Sequence, residues 1–266
     1  MAEMTNKQST SVWDGVYASF AEAGGEDTVF EDKVWLGKII ERARSALERA
    51  RGGAIPPVAS TTEYALPFVA ALAAPENRPL RILDFGGGMA TSYVPLRAML
   101  PSNRALDFVV VENETVCRAG RELFKDSPNL TFLSDLPHSA ERFDMVHFGS
   151  SLHYVDDWKG VLGRVTAYEP LYILFADLPA ADNKSFMTTQ LFHGRRIPVR
   201  FWSLQEFVSE IAGLNYELIF QARYQGPYLA PGAELPTANF DDEHRLTYTT
   251  QLVFRRAGTV ADVKGF

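Results

Sequence analysis

Cysteine is nearly absent: Cys117 is the single one in a chain of 266 residues. An internal disulfide and a cysteine-rich zinc site are therefore excluded. Positive charge is in short supply as well, with 26 Lys and Arg against 33 Asp and Glu and a net charge of −7. General binders of nucleic acid or of anionic membrane surfaces draw their affinity from neutralising phosphates, so neither partner is expected. Long apolar runs are missing too. None approaches the roughly 20 residues that span a bilayer, and the opening MAEMTNKQST has no apolar segment of the kind found in secretion signals. The expectation is a soluble, cytoplasmic protein. What is present is an ordinary globular balance, 46% apolar and 22% charged, in a chain long enough for one large domain with an added cap.

Residues 1–12 are expected to be disordered, and VWDGVYASFAEAGGED follows with Trp13, Tyr17 and Phe20 set among glycines and acids. Helical spacing is strong in TVFEDKVWLGKIIERARSALERARGG. Leu36, Ile39, Ile40, Ala43, Leu47 and Ala50 recur on one face, and Gly52 and Gly53 end the run. A second helix opens with a capping box, Ser60 with Glu63. After Pro75 the pattern changes. Short apolar runs at 80–85, 107–112, 130–134, 143–149 and 171–177 alternate with helical stretches at 91–100, 114–126 and 157–166. That alternation implies a parallel sheet covered by helices on both faces. The last part differs. WSLQEFVSEIAGL reads as a helix with Ser203 as N-cap and Gly213 near its end. Two long strands at 215–224 and 245–256 then follow without a crossover helix, so they pair antiparallel.

The stretch LRILDFGGGMATSY, residues 80–93, carries the first chemical signal. A strand ends at Asp84 and Phe85, a helix starts near Thr91, and Gly86, Gly87 and Gly88 fill the turn. A bare main chain between strand and helix lets a ligand approach closely, and N–H groups at the helix start can face its polar groups. One or two glycines fit an ordinary tight turn; three favour a ligand. A dinucleotide turn requires G-x-G-x-x-G, but Thr91 stands where the last glycine belongs.

The segment reads instead D-x-G-x-G-x-A, with Asp84, Gly86, Gly88 and Ala90. It resembles the first motif of class I S-adenosylmethionine-dependent methyltransferases, with Ala90 in place of the third glycine. The resemblance implies a Rossmann-like, seven-stranded, mostly parallel sheet with an antiparallel C-terminal strand, over 76–258, preceded by an N-terminal helical cap over 1–75 and followed by a tail over 259–266. It implies S-adenosylmethionine as cofactor, with Glu112 at the end of FVVVEN accepting from the ribose hydroxyls. Asp135 would accept from the adenine amine, and Ser150, after the fourth strand, would leave room beside the methyl donor. A narrower resemblance lies in the flanks. VWDGVYASFAEA is similar to the W-x-G-x-Y-x-S-x-x-E-A opening of a methyltransferase family encoded with polysaccharide, capsule or lipopolysaccharide genes. FMTTQLFHGRRIPVRFWSLQEFVSEIAGLNYEL is similar to the same family's stretch after the fifth strand.

Methyl transfer from a sulfonium needs alignment, exclusion of water and, for a hydroxyl acceptor, a base. His153, just after the fourth strand, and His193, in an apparent loop at the same end of the sheet, are the candidate bases. His147, inside the fourth strand, reads as core. Tyr154 and Gln190 are candidates for orienting a polar acceptor. Arg195, Arg196 and Arg200 form a basic cluster whose guanidinium forks suit a phosphate or carboxylate, such as that of a nucleotide sugar or acidic sugar. Asp156, Asp157 and Asp177 are spaced as chance would allow, and Asp157 suits a helix N-cap, so no metal is expected. The expected enzyme methylates a small polar acceptor, such as a sugar hydroxyl. The alternatives are a methyltransferase-like module that binds the donor without turnover and, less favoured, an NAD-dependent oxidoreductase.

Overall fold

The computed structural model describes residues 12–26, 28–51, 65–101, 103–192, 194–224 and 234–258. Residues 1–11, the box of Ser60 and Glu63, His193 and the 259–266 tail lie outside the described residues. In chain order the elements are β1 (Trp13–Tyr17), α1 (Phe20–Ala23), α2 (Lys33–Arg51), α3 (Ala65–Ala73), β2 (Leu80–Phe85), α4 (Tyr93–Met99), β3 (Leu106–Val111), α5 (Glu114–Leu123), β4 (Leu130–Leu133), β5 (Met145–Gly149), α6 (Trp158–Thr166), β6 (Tyr172–Leu178), β7 (Ala180–Ala181), β8 (Phe186–Phe192), β9 (Arg195–Ser203), α7 (Leu204–Gly213), β10 (Tyr216–Tyr224) and β11 (Thr249–Arg256). Short 3-10 turns at Val29–Glu31 and Leu152–Tyr154 join them.

Seven strands form one sheet in the order β10-β11-β6-β5-β2-β3-β4. Pairings from β4 through β6 are parallel, and β11 runs antiparallel to both β6 and β10. Only β11 is therefore reversed. The strands are apolar on both faces, as a doubly covered sheet requires. Ile82, Phe108, Val110 and Leu174 pack toward α2, α3, α4 and α5. Leu83, Val109, Val111, Ile173 and Phe175 pack toward α6 and α7. Burying a side chain of this size is worth about 1.5–3 kcal/mol, so the two core layers set where every strand tip ends.

Helix starts follow local chemistry. Asp32 accepts from Val34 N–H at 2.8 Å ahead of α2, Asn113 from Val116 N–H at 3.0 Å ahead of α5, and Asp157 from Gly160 N–H at 3.0 Å ahead of α6. Ser203 does occupy the N-cap position of α7, but its side chain makes no cap hydrogen bond.

The second sheet departs from the sequence reading. The stretch 190–200, expected as a loop, lies largely in strands: β8 and β9 pair antiparallel, joined by β1 on one side and β7 on the other, in the order β1-β8-β9-β7. Period-two burial of Ile197, Val199 and Phe201 is the reason. The N-terminal extension is correspondingly not all helical, since β1 belongs to this sheet.

Candidate active site

The chain leaves β2 toward β3 and β4 and returns on its other side at β5, so strand order reverses at β2. A crevice opens beyond the carboxyl ends of strands at such a reversal. The three glycines lie there, and they are not equivalent. On Gly86, at φ +66°, a Cβ would sit 2.4 Å from the Ser151 Cβ. On Gly87 it would meet the Asp84 carboxylate at 2.5 Å. Gly88, at φ +54°, has nothing within 4 Å of that place. Two of the glycines make room for the protein's own side chains, and one faces open space.

Asp84 lies beneath the turn, fully buried. Its Oδ2 accepts from Ser92 Oγ, and its Oδ1 is 2.8 Å from His147 Nδ1. A buried carboxylate is strongly disfavoured without partners; here both oxygens have one. With both oxygens engaged, the Asp84 side chain, read in the sequence as part of the donor-binding motif, supports the turn from below. His147 is the core residue the sequence indicated, and it serves as Asp84's partner.

Glu112, just past β3, reaches the same turn. Its Oε1 accepts from Gly88 N–H at 3.2 Å, and its Oε2 accepts from Asn113 N–H at 2.9 Å and Asn113 Nδ2 at 3.1 Å. Burial pushes its pKa up, opposed by these hydrogen bonds. A carboxylate offers about four acceptor positions, so capacity remains on Oε1 beside Gly88. Asn113 Nδ2 also donates to the Phe30 carbonyl at 3.3 Å. The Phe30 ring packs edge-on to Tyr154 at 4.8 Å, which brings the N-terminal segment to the crevice.

At the tips of β5 and β6, Ser150 and Asp177 both hold left-handed backbone, φ +54° and +56°. Such conformations cost non-glycine residues on the order of 1–3 kcal/mol and need support. Side chains supply it: Ser150 Oγ donates to Asp177 Oδ2 and Thr249 Oγ1 to Asp177 Oδ1, each at 2.6 Å.

His153 follows in the 3-10 turn, 6% exposed, with Nδ1 buried and without a hydrogen-bond partner. Burial pushes its pKa down to about 4 against the opposing pull of the Asp177 carboxylate, so the imidazole is neutral at pH 7. Its ring lies 4.1 Å from that of Tyr154. Tyr154 OH donates to Gln190 Oε1 at 2.8 Å, and burial raises its pKa well above the usual phenol range.

Other sequence candidates do not converge. Asp135 is exposed and accepts from Leu136 N–H at 2.7 Å and Arg164 at 3.0 Å. The arginine clamp is not assembled. Arg195 pairs with Glu26, Arg196 with Asp14 at 2.8 Å, and Arg200 lies 3.8 Å from Asp156. Cross-strand partners share a face: Gln190 opposes Ile197, whereas Leu191 opposes Arg196 and Met187 opposes Arg200. Arg196 and Arg200 therefore leave the face opposite to Gln190. Among the described residues, no group of three His, Cys, Asp or Glu side chains is arranged to hold a metal ion, and no helix is long and apolar enough to cross a membrane.

No protein-family model matches the chain, and no curated protein matches it in sequence. Solved structures match it in fold. One is a chain of the complex between the Haloferax volcanii Trm112 methyltransferase activator and its proposed methyltransferase, with TM-score 0.50 and 14% identity over 84% of this chain and 95% of that one. Another is the glycopeptide N-methyltransferase MtfA complexed with S-adenosylhomocysteine, with TM-score 0.50 and 14% identity over 80% of this chain and 96% of that one. The fold is the Rossmann-like fold of these methyltransferases, with a seven-stranded, mostly parallel sheet.

Proposed function

We propose that this chain is an S-adenosylmethionine-dependent methyltransferase acting on a hydroxyl of a small polar acceptor. The observation that carries the reading is the open main chain at Gly88 beside the Glu112 carboxylate, at the strand-order reversal. The residues fit the donor. The Gly86, Gly87 and Gly88 turn would take its amino-acid tail and Glu112 its ribose hydroxyls. Asp135, once released from Arg164, would take the adenine amine, and Ser150 would border the methyl group. Bound there, S-adenosylmethionine supplies a methyl group already activated by the sulfonium charge.

The chain's own residues then have three tasks. His153, neutral at pH 7, accepts the acceptor's proton on a ring nitrogen. Tyr154 and Gln190, held together by their hydrogen bond, orient the acceptor. The Phe30 ring, seated on Tyr154, excludes water. His193, between β8 and β9, is the second candidate base.

For the acceptor we infer a sugar or nucleotide-sugar hydroxyl, in a polysaccharide context. Support comes from the two segments similar to the polysaccharide-linked family, which pair with each other as β1 and β8. The test is release of S-adenosylhomocysteine across sugars, nucleotide sugars and phenols. His153→Ala should lower turnover by about 100-fold or more with donor binding intact. Donor binding with no release across the panel would support the module without turnover instead.

A further inference from the structure

We propose that the acceptor carries a protonated amine near the hydroxyl that is methylated, as an amino sugar does, and that Asp177 is the residue that selects it. The inference rests on the methyltransferase reading and on the acceptor position beside His153, Tyr154 and Gln190.

Asp177 and Ser150 stand at the tips of β6 and β5, which pair side by side. Both hold left-handed backbone, and strain of this kind gathers at positions that clamp a ligand. The Ser150 and Thr249 hydroxyls each donate to one Asp177 oxygen, so the carboxylate is fixed between the ends of β5, β6 and β11. A carboxylate accepts about four hydrogen bonds, and two positions therefore remain. Among the described residues, no Lys, Arg or His makes an ion pair with Asp177. Its charge nevertheless reaches the two rings assigned to the acceptor, since His153 and Tyr154 both feel the Asp177 carboxylate. Both rings are themselves neutral at pH 7.

The small sheet supplies no free cation to offset that charge. Arg195 opposes Phe192 and so shares the Gln190 face, but Glu26 and Asp32 both hold it, the latter at 3.5 Å. Arg196 and Arg200 leave the other face. An acceptor phosphate or carboxylate would meet a like charge here. A protonated amine would meet a fixed carboxylate with two open acceptor positions, and hydrogen bonds between ionised partners are roughly twice as strong as neutral ones.

The test follows the Gln190 side-chain amide resonance of the ¹⁵N-labelled full chain, assigned with Gln190→Leu, in the presence of S-adenosylhomocysteine. The chain is titrated with glucosamine, galactosamine and mannosamine, and separately with glucose, galactose and mannose, which carry a hydroxyl in the amine's place. Ionic strength is constant and the pH is about 6, where the amine is protonated and His153 is still neutral. At least one amino sugar should move the resonance to saturation and bind about tenfold or more tighter than its hydroxyl counterpart. Asp177→Asn should bring that pair within about twofold of each other. Asparagine tolerates left-handed backbone and can serve both hydroxyls, so the variant should fold, as circular dichroism checks. A resonance that no amino sugar moves, equal binding within all three pairs, or a preference that survives in Asp177→Asn overturns the proposal. Any of these, with S-adenosylhomocysteine still bound in calorimetry, leaves the methyltransferase reading in place. Absence of S-adenosylhomocysteine binding would remove that reading and this inference with it.

Discussion

The two sheets treat their polar groups in opposite ways. Around the glycine turn of the large sheet, the buried polar groups are paired: Asp84 with Ser92 and His147, Glu112 with Gly88 and Asn113. Where the small sheet meets the 3-10 turn and α7, His153 Nδ1, Arg200 Nε and Trp202 Nε1 are buried without partners. An unmade buried hydrogen bond costs about 1–3 kcal/mol. The first region is finished as protein structure and offers a ligand a shaped opening. The second keeps unspent donors and acceptors, which is what a region completed by its ligands looks like.

Substitutions that break the finished region should have the largest effects. Gly86→Val drives a side chain into Ser151 from a left-handed backbone and should destabilise by roughly 3–4 kcal/mol in denaturant unfolding. Asp84→Ala strands His147 and Ser92 and should cost roughly 2–3 kcal/mol in the same measurement. A stable Asp84→Ala protein with undiminished donor affinity would erase the distinction between support and opening. Glu112→Ala strands the Gly88 and Asn113 donors and should cost roughly 1–3 kcal/mol of stability, remain folded, and bind S-adenosylhomocysteine more weakly by roughly 1–3 kcal/mol.

The pH dependence of that binding has a definite sign. Burial holds the Glu112 pKa above its ordinary value, and ribose hydroxyls favour the carboxylate, so affinity should weaken as pH falls toward that pKa and binding should release protons. Calorimetry in buffers of different ionisation enthalpy reads this. A second pH dependence belongs to the unfinished region. His153 is lowered from 6.5 to about 4, so the stability that its neutral form contributes is complete above pH 6.5 and is lost as pH falls through about 4. His153→Gln should flatten the acid side of the stability profile; an unaltered profile would mean that the imidazole is not buried.

The large sheet was legible because period, length and punctuation agreed there. All seven strands were marked by apolar runs, and four of them, at 80–85, 107–112, 143–149 and 171–177, end at or directly before Gly, Asp or Glu. Which glycine faces the opening was not legible, since Gly86, Gly87 and Gly88 are identical letters whose neighbours, Ser151 and Asp84, are set by tertiary packing. The small sheet was missed although Ile197, Val199 and Phe201 alternate, because the arginines and glycine of HGRR suggested a loop. Phe30 and Asn113 carried no local mark: their roles arise from residues 83 positions apart meeting in space. Asp177 was weighed only as a metal ligand; its contacts with Ser150 and Thr249 depend on β11 lying beside β6.

Calorimetric titration of the purified chain with S-adenosylhomocysteine, set beside Gly88→Val, tests the central claim most directly. The added side chain would enter space that no protein atom occupies, but from a left-handed backbone at φ +54° that should cost about 1–2 kcal/mol, so the variant should be weakened yet remain folded, as its circular dichroism checks. The expected result is saturable binding by the parent and its loss in the folded variant. No response to S-adenosylhomocysteine or S-adenosylmethionine, with tight binding of NAD in their place, would contradict it.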